Sequence, residues 1–160
     1  MKKLLMALTL STTLLLAACG GEEVSTDNGT EDVATEGLQA GTYRLEELNF
    51  GETGWKEALE ITVADGEITD ATWESVDEEG NNKIEDEEYQ ETMTGVSGTG
   101  PQDFIPELEN ALVEAQDPAD VEVVAGATGT SESFKTYAQQ LVDAAEEGNT
   151  ETIEVDNSAE

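Results

Sequence analysis

The sequence contains no histidine and only one cysteine, Cys19, among its 160 residues. Without histidine, the chain cannot build a Ser/His/Asp or Cys/His catalytic arrangement or an imidazole-bound zinc site. A single cysteine allows no intrachain disulfide, no iron–sulfur ligand set and no dithiol redox pair. Any acid–base chemistry of the side chains would therefore depend on carboxylates, which are abundant and show no distinguishing pattern.

Basic residues are also scarce, because six Lys and Arg stand against 38 Asp and Glu, a formal net charge of −32. The cations that neutralise phosphates in nucleic-acid complexes are lacking, so we predict that the protein does not bind nucleic acid. Self-repulsion of this kind is screened in concentrated salt, where the Debye length falls to about 3 Å at 1 M. The composition therefore predicts a salt-tolerant protein.

The N-terminal segment has the layout of a secretory signal. Lys2 and Lys3 precede an apolar run over residues 4–18 that is short and ends in small residues, as signal peptides do. The stretch Leu16-Ala17-Ala18-Cys19 resembles the lipobox of bacterial lipoproteins, whose cysteine is lipid-modified after the preceding residues are removed. This resemblance implies acyl chains such as palmitate on Cys19 and a membrane-anchored, extracytoplasmic protein.

The composition divides the chain into three parts. Residues 1–18 form the predicted lipoprotein signal peptide, and residues 19–37 form a predicted flexible linker that is acidic and poor in apolar side chains. Such a composition cannot bury a core. Residues 38–157 are long enough for one domain.

Within this domain, the periodicity of apolar residues predicts an α+β fold with an antiparallel or mixed sheet and two or three helices on one face. Asp65-Gly66 indicates a hairpin turn, Pro101 a helix start, and Gly148 a helix end. Pro106 is expected in the first helical turn or at a slight kink. The predicted elements are strands over residues 41–48, 57–76, 119–126 and 151–155, and helices over residues 85–93, 101–116 and 131–148.

Two loops are candidate ligand sites. Residues 77–88 offer oxygen ligands for calcium at Asp77 and Glu88, but Asn82 stands where a calcium loop needs Gly and a strand precedes the loop. We therefore predict a solvated acidic loop. Three glycines in residues 95–101 lack the lysine of a phosphate loop. Gly98 and Thr99 there either let a flat ligand approach the backbone or belong to a plain connection.

The stretch VVAGATGTSESF, residues 123–134, is neutral at its start and rich in small and hydroxyl residues. It lies between a predicted strand and a predicted helix, so Thr130 or Ser131 is expected to cap that helix. The same free N–H groups, together with the helix dipole, form a phosphate-sized site that needs no basic residue. From the residues alone, a simple cap and a phosphate site both remain open.

This stretch resembles the SGAT-x-TS signature of the FMN-binding domain family. The family is found in the flavin-carrying C and G subunits of sodium-translocating NADH:quinone reductase and Rnf complexes, and in small surface lipoproteins of Gram-positive bacteria. The similarity covers roughly residues 38–155. It implies FMN as cofactor, with its phosphate held at Gly126, Ala127, Thr128, Gly129, Thr130 and Ser131.

In the family, a flavin transferase can join FMN through a phosphoester to the threonine that corresponds to Thr128. Glu122 stands where its target motif has Asp, and Ala125 where the motif has Ser or Thr, so covalent and non-covalent binding both remain open. For the flavin ring we predict Trp55 as an exposed stacking surface. Trp73, Tyr43 and Phe134 are further candidates, although Trp73 and Phe134 have the spacing of core residues.

The resulting functional prediction is an extracytoplasmic, lipid-anchored flavin protein that transfers electrons at the cell surface, rather than an enzyme with its own substrate. Its expected partners are the membrane, a flavin transferase and a redox partner. The alternative is a non-redox surface lipoprotein or interaction module with a degenerate FMN-binding domain. A related possibility is that the signal segment ending in TLLLAA is the precursor of a peptide pheromone.

Overall fold

The computed structural model describes residues 37–158, which form one four-stranded sheet and three α-helices. The order across the sheet is β3-β2-β1-β4, and only β1 and β4 run parallel. The predicted α+β class with a mixed sheet is confirmed. The elements are β1 (Gly41–Glu47), β2 (Lys56–Ala64), β3 (Glu67–Val76), α1 (Glu87–Ser97), α2 (Pro101–Ala115), α3 (Thr128–Glu147) and β4 (Ile153–Val155).

The predicted signal peptide, the lipidation site Cys19 and nearly all of the predicted linker lie outside the described residues. Within residues 37–158, no helix has the length and apolarity needed to cross a membrane.

The β2–β3 hairpin turns at Asp65 and Gly66, as the sequence predicts. These residues have φ angles of 54° and 85°, the pair of left-handed conformations that a type I′ turn requires. Strands β2 and β3 flank this turn and pair antiparallel, from Ala64 with Glu67 to Lys56 with Val76, with one irregularity between Thr62 and Val63.

The core lies between one face of the sheet and the helices α2 and α3. Strand residues such as Leu45, Leu59 and Ile61 are fully buried there. The helical periodicity of apolar residues that predicts these two helices is confirmed, because Phe104, Leu108 and Leu112 of α2 and Phe134, Ala138 and Leu141 of α3 are buried. Burial of such side chains is the main stabilising contribution to a domain of this size.

The opposite face of the sheet is polar. Arg44 lies there among three carboxylates, with its Nη2 2.9 Å from Glu74 and other guanidinium nitrogens 3.6 Å from Glu46 and Glu60. These side chains are about one-third exposed, so the ion pairs contribute little individually. Their polarity explains why α2 and α3 pack on the other face.

The outer edge of β3 is covered by side chains of α2 and its C-terminal cap. The backbone N–H of Trp73 donates to Glu109 Oε1 over 2.7 Å, and the backbone N–H of Ile68 donates to Gln116 Oε1 over 2.7 Å. Gln116 Nε2 also donates to the Ile68 carbonyl over 2.8 Å. An edge strand that would otherwise be open to pairing with another chain is thereby satisfied within the domain.

The predicted strand over residues 119–126 is wrong. Pro118–Asp120 form a short 3₁₀ turn, and residues 121–124 that follow belong to no helix or strand. The outer edge of β3 is covered instead by α2, and β4 is the strand that pairs with the free side of β1. Val121 is nevertheless buried, and Lys135 Nζ donates to its carbonyl over 2.6 Å, which ties the segment to α3 instead.

Three helix boundaries differ from the predicted ones. Helix α1 begins two residues later and extends to Ser97, with the Asp86 carboxylate accepting from the Tyr89 N–H at its start. Helix α3 begins three residues earlier than expected. Pro106 lies inside α2 beyond the first turn, while Pro101 occupies the predicted first position.

Candidate functional site

A tight turn at residues 124–127 leads into α3. The Ala127 N–H donates to the Val124 carbonyl over 3.0 Å, and Gly126 has a φ angle of 87°, which glycine adopts without strain. Helix α3 then begins at Thr128. Because Thr128 and Gly129 are exposed, the first turn of α3 is accessible from solvent.

The N–H groups of the first turn of α3 have no acceptor within the helix. Ala127, the N-cap residue, supplies no side-chain acceptor. At α2, by contrast, Gln90 Oε1 accepts from the Gln102 N–H over 2.9 Å and Asp103 Oδ2 accepts from the Gly100 N–H over 3.3 Å. The start of α2 is closed by side chains, whereas the backbone donors of residues 128–130 are available to an outside anion.

The prediction that Thr130 or Ser131 caps α3 is wrong. The helix starts at Thr128, which places both residues inside it. Ser131 is fully buried, and its hydroxyl donates to the Ala127 carbonyl over 2.8 Å and accepts from the Val124 N–H over 3.1 Å. Residues with low intrinsic helix propensity occupy the first turn, and this is why the sequence placed the boundary too late.

The turn before α3 packs against the loop between α1 and α2. A β-carbon at Gly126 would collide with the Ser97 carbonyl oxygen and lie 3.1 Å from Thr99 Cγ2. Gly98, with a φ angle of 84°, ends α1 between these two residues. Two of the sequence-predicted groups, Gly98 and Thr99 on one side and Gly126 on the other, are therefore brought together.

No basic side chain is needed to build this turn, and the one basic residue of α3 is committed elsewhere. Lys135 Nζ donates to the carbonyls of Ala119 and Val121, over 3.1 and 2.6 Å. Electrostatic attraction for an anion at the start of α3 therefore comes from the backbone N–H groups and the helix dipole.

The expectation that Trp55 is exposed is wrong, because only 9% of its surface is accessible. Its ring meets the ring of Tyr89 edge to face, with centroids 5.6 Å apart, and Lys83 Nζ lies 5.1 Å from the Trp55 centroid. The other suggested stacking residues, Trp73, Tyr43 and Phe134, are also buried. Whether Trp55 contacts a flavin stays a prediction.

Trp55 lines a cleft of about 540 Å³ at the end of β1. Glu47, Phe50 and Glu57 also line this cleft. Helix α1 connects the cleft with the turn before α3, because Tyr89 contacts Trp55 and Ser97 lies against Gly126. These two residues of α1 are eight positions apart, which corresponds to about 12 Å along a helix.

Sequence reasoning missed a group of buried polar side chains beside the cleft. The Tyr137 hydroxyl donates to Glu47 Oε1, Lys83 Nζ lies 3.3 Å from Glu57 Oε1, and the Glu57 N–H donates to Glu47 Oε2 over 2.9 Å. Burial raises the pKa of Glu57, as does the neighbouring Glu47, while Lys83 opposes the rise. Residues two apart on a strand face the same side, so Glu47 lies on the buried face of β1 together with Leu45. This spacing was the sequence signal that could have identified Glu47 as a buried carboxylate.

In the acidic loop after β3, the Asp77 carboxylate accepts hydrogen bonds from other residues of the same loop. Asp77 Oδ1 accepts from the N–H groups of Glu79 and Asn81, each over 2.9 Å, and Asn81 Nδ2 donates to Asp77 Oδ2. These hydrogen bonds lower the pKa of Asp77. Within residues 37–158, no group of three or more acidic, His or Cys side chains is arranged to hold a metal ion.

The start of α3 fits a phosphate group. Its first turn has no side-chain cap and begins with two exposed residues, Thr128 and Gly129, and a helix N-terminus favours a negative charge. The absence of a side chain at Gly126 keeps the backbone of the turn close to Ser97 and Thr99. The geometry accommodates an anion without requiring any rearrangement of charged side chains.

Comparison with known proteins relates the chain to a protein family, to a lipoprotein and to a solved structure. The profile of the FMN-binding domain family matches residues 54–143. A 15 kDa lipoprotein of Treponema pallidum (strain Nichols) is 38% identical over 113 residues, which represent 71% of this chain and 80% of that protein. The crystal structure of the CPE2226 protein from Clostridium perfringens has a TM-score of 0.71 at 43% identity, covering 74% of this chain and 98% of that one. The profile match includes Trp55, α1 and the turn before α3.

Proposed function

This chain belongs to the FMN-binding domain family, and on that basis we propose that it carries FMN at an extracytoplasmic membrane surface and transfers electrons there. FMN is the cofactor that the family assigns. When bound, FMN supplies the redox chemistry, and the protein supplies binding and environment.

The observation that carries the proposal is the accessible start of α3. The N–H groups of Thr128, Gly129 and Thr130 are available to phosphate oxygens, and Gly126 holds the preceding turn against Ser97. Gly98 and Thr99 border the same turn. The ligand is thus bound by backbone donors, which suits a chain in which basic side chains are scarce.

Thr128 is the proposed attachment residue if the flavin is covalently bound. It is the first residue of α3 and is exposed, so its hydroxyl is accessible to a modifying enzyme. A phosphoester between this hydroxyl and the FMN phosphate forms with loss of one water overall. Glu122 and Ala125, which depart from the transferase motif, are also exposed, so a transferase would read them directly.

Membrane anchoring rests on the sequence of the N-terminus and on a relative. The lipobox-like stretch ends at Cys19, and the Treponema pallidum relative is called a lipoprotein. A lipid-modified Cys19 would hold the domain at the membrane, with residues 20–37 as a tether. A flavin transferase and a membrane-bound redox partner are the expected partners.

One observation favours the alternative, a surface lipoprotein whose domain binds no flavin and serves as an interaction module. The predicted stacking rings Trp55, Trp73 and Phe134 are all buried. A flavin at α3 would then depend on other apolar groups near the turn, such as Val123, which is 46% exposed. The pheromone-precursor role stays a prediction, since the signal segment lies outside the described residues.

Titration of the purified protein with FMN, followed by flavin fluorescence and absorbance, tests the proposal. We expect saturable binding that weakens strongly in Gly126→Ala, because this substitution displaces the turn. Gly95→Ala serves as the control, since Gly95 lies in α1 outside the phosphate site and a β-carbon there meets open space. Absence of binding, both to free FMN and after co-expression with a flavin transferase, would favour the interaction module.

A further inference from the structure

Ser131 lies at the end of the signature stretch, but its hydroxyl faces the protein interior. None of its surface is accessible. Its Oγ donates to the Ala127 carbonyl over 2.8 Å and accepts from the Val124 N–H over 3.1 Å. A serine inside a helix often bonds to the carbonyl four residues earlier, but here the second bond reaches beyond the helix to the preceding turn.

These bonds leave the hydroxyl no hydrogen for a ligand. A serine hydroxyl has one donor hydrogen, and that of Ser131 is used by Ala127. Ionised phosphate oxygens accept hydrogen bonds, so a direct contact would require Ser131 to donate to them. Ser131 therefore does not meet the phosphate while the observed turn is intact.

The same bonds close the turn that precedes α3. The Val124 carbonyl accepts from the Ala127 N–H over 3.0 Å, and the Val124 N–H reaches the Ala127 carbonyl through the Ser131 hydroxyl. The carbonyl of Val124 is thus bonded directly to Ala127, and its N–H is bonded to Ala127 through Ser131. This double closure fixes Gly126 against Ser97 and sets the directions of the free N–H groups of residues 128–130.

We propose that Ser131 is a positioning residue of the phosphate site, which orients the backbone donors at the start of α3 without touching the ligand. The identity of the ligand rests on the proposed function. The role of Ser131 does not, because the closed turn is present in the protein alone and would orient the same donors toward any phosphate.

The test compares Ser131→Ala and Ser131→Cys with wild type in the folded domain. The cysteine variant keeps the side-chain volume and replaces the hydroxyl with a weak hydrogen-bond donor, so it separates packing from hydrogen bonding. Thr136→Ala is the matched control, because Thr136 Oγ1 makes the same kind of bond to a carbonyl four residues earlier, that of Glu132, over 2.9 Å. Thr136 is exposed and distant in sequence from the turn.

Two readouts are needed. Without ligand, we expect hydrogen exchange of the Val124 amide to become about tenfold faster in both Ser131 variants and to stay unchanged in Thr136→Ala. With FMN, we expect the dissociation constant to rise about three- to tenfold in both Ser131 variants, which corresponds to the net contribution of one hydrogen bond. The control should bind as wild type does.

Three outcomes overturn the proposal. Unchanged Val124 exchange with weakened binding would indicate direct contact between Ser131 and the ligand. Faster exchange with unchanged binding would indicate a role in folding only, and wild-type behaviour of Ser131→Cys would indicate packing. If wild type binds no FMN, the proposed function fails. The role of Ser131 is then tested by titrating wild type, the two Ser131 variants and Thr136→Ala with inorganic phosphate, with binding followed by the amide chemical shifts of residues 128–130.

Discussion

Gly126 meets the Ser97 carbonyl oxygen where a β-carbon would stand, and its φ angle of 87° lies in the left-handed region. Alanine would add about 1–2 kcal/mol of backbone strain in addition to the collision. We expect Gly126→Ala to lower the free energy of unfolding by at least that amount and to weaken FMN binding. Urea unfolding and FMN titration measure the two effects.

Gly95→Ala is the matched control, because Gly95 lies inside α1 and outside the phosphate site. It has open space around its α-carbon, so alanine should leave stability unchanged or raise it by up to about 1 kcal/mol through helix propensity. Equal changes in the free energy of unfolding and in FMN affinity for the two substitutions would show that the contact between Gly126 and Ser97 contributes to neither.

Glu109 gives a prediction about pH. Burial raises the pKa of its carboxyl, Asp70 raises it further, and the hydrogen bond from the Trp73 N–H opposes the rise. The folded chain thus holds this proton more tightly than the unfolded chain does. The contribution of Glu109 to stability should therefore increase as the pH falls from neutral toward its ordinary pKa.

Glu109→Gln keeps an oxygen acceptor for the Trp73 backbone N–H and removes a half-buried charge, so we expect stability at pH 7 to be maintained or increased. Glu109→Ala leaves the Trp73 N–H without its partner and should lose about 1–3 kcal/mol. Urea unfolding at pH 7 and pH 5 compares the variants. A loss in Glu109→Gln as large as that in Glu109→Ala would show that the charge itself is required.

The sequence located the candidate turn but could not supply its geometry. The pattern of Gly126 and Ser131 identified the stretch, since small residues before an amphipathic helix indicate a helix start. The role of Ser131 depends on the Val124 N–H, and that of Gly126 on Ser97, which is 29 positions away. The environment of Trp55 was misjudged for the same reason, because Tyr89 and Lys83 cover it through tertiary contacts.

Helix α1 is attached to the rest of the domain by few side chains. No residue of α1, which is described throughout, is buried. Tyr89 contacts Trp55, and Gln90 bonds to the Gln102 N–H and to Asp103. We expect α1 to show the fastest hydrogen exchange of the three helices, because local opening exposes little apolar surface.

Gln90→Ala should accelerate exchange in α1 and at the start of α2 without changing α3. Binding of FMN should slow exchange at the C-terminal end of α1, since Gly98 and Thr99 border the turn before α3. Mass spectrometry of deuterium uptake measures both effects. Exchange in α1 as slow as in α3 would contradict this picture of its attachment.

Strand and helix positions followed from local pattern where one face of the element is buried. The β2–β3 hairpin and the apolar stripes of α2 and α3 were predicted for this reason. The segment at residues 119–126 has the apolar composition of a strand, but whether such a segment pairs depends on a free sheet edge. Glu109 and Gln116 cover the edge of β3, β4 pairs with β1, and no local pattern reveals these contacts.

For the whole molecule, the net charge of −32 predicts a stability that increases with salt. Screening reduces repulsion between carboxylates, and each kcal/mol recovered corresponds to roughly 4–8 °C in the thermal midpoint of a small domain. Calorimetry in 0.05 to 1 M NaCl tests this, with KCl at equal ionic strength as the control for specific ion effects. A thermal midpoint independent of salt would contradict it.

We propose that the start of α3 holds the phosphate of FMN, and that Thr128 is the residue to which it is joined when the link is covalent. The most direct measurement is the intact mass of the folded protein together with its visible spectrum, after co-expression with a flavin transferase. We predict flavin absorbance in the folded protein. If the link is covalent, the denatured wild type should keep this absorbance with a mass increase equal to FMN less one water, and denatured Thr128→Ala should lose both. A folded protein with no flavin absorbance, or a flavin mass retained in denatured Thr128→Ala, would contradict the proposal.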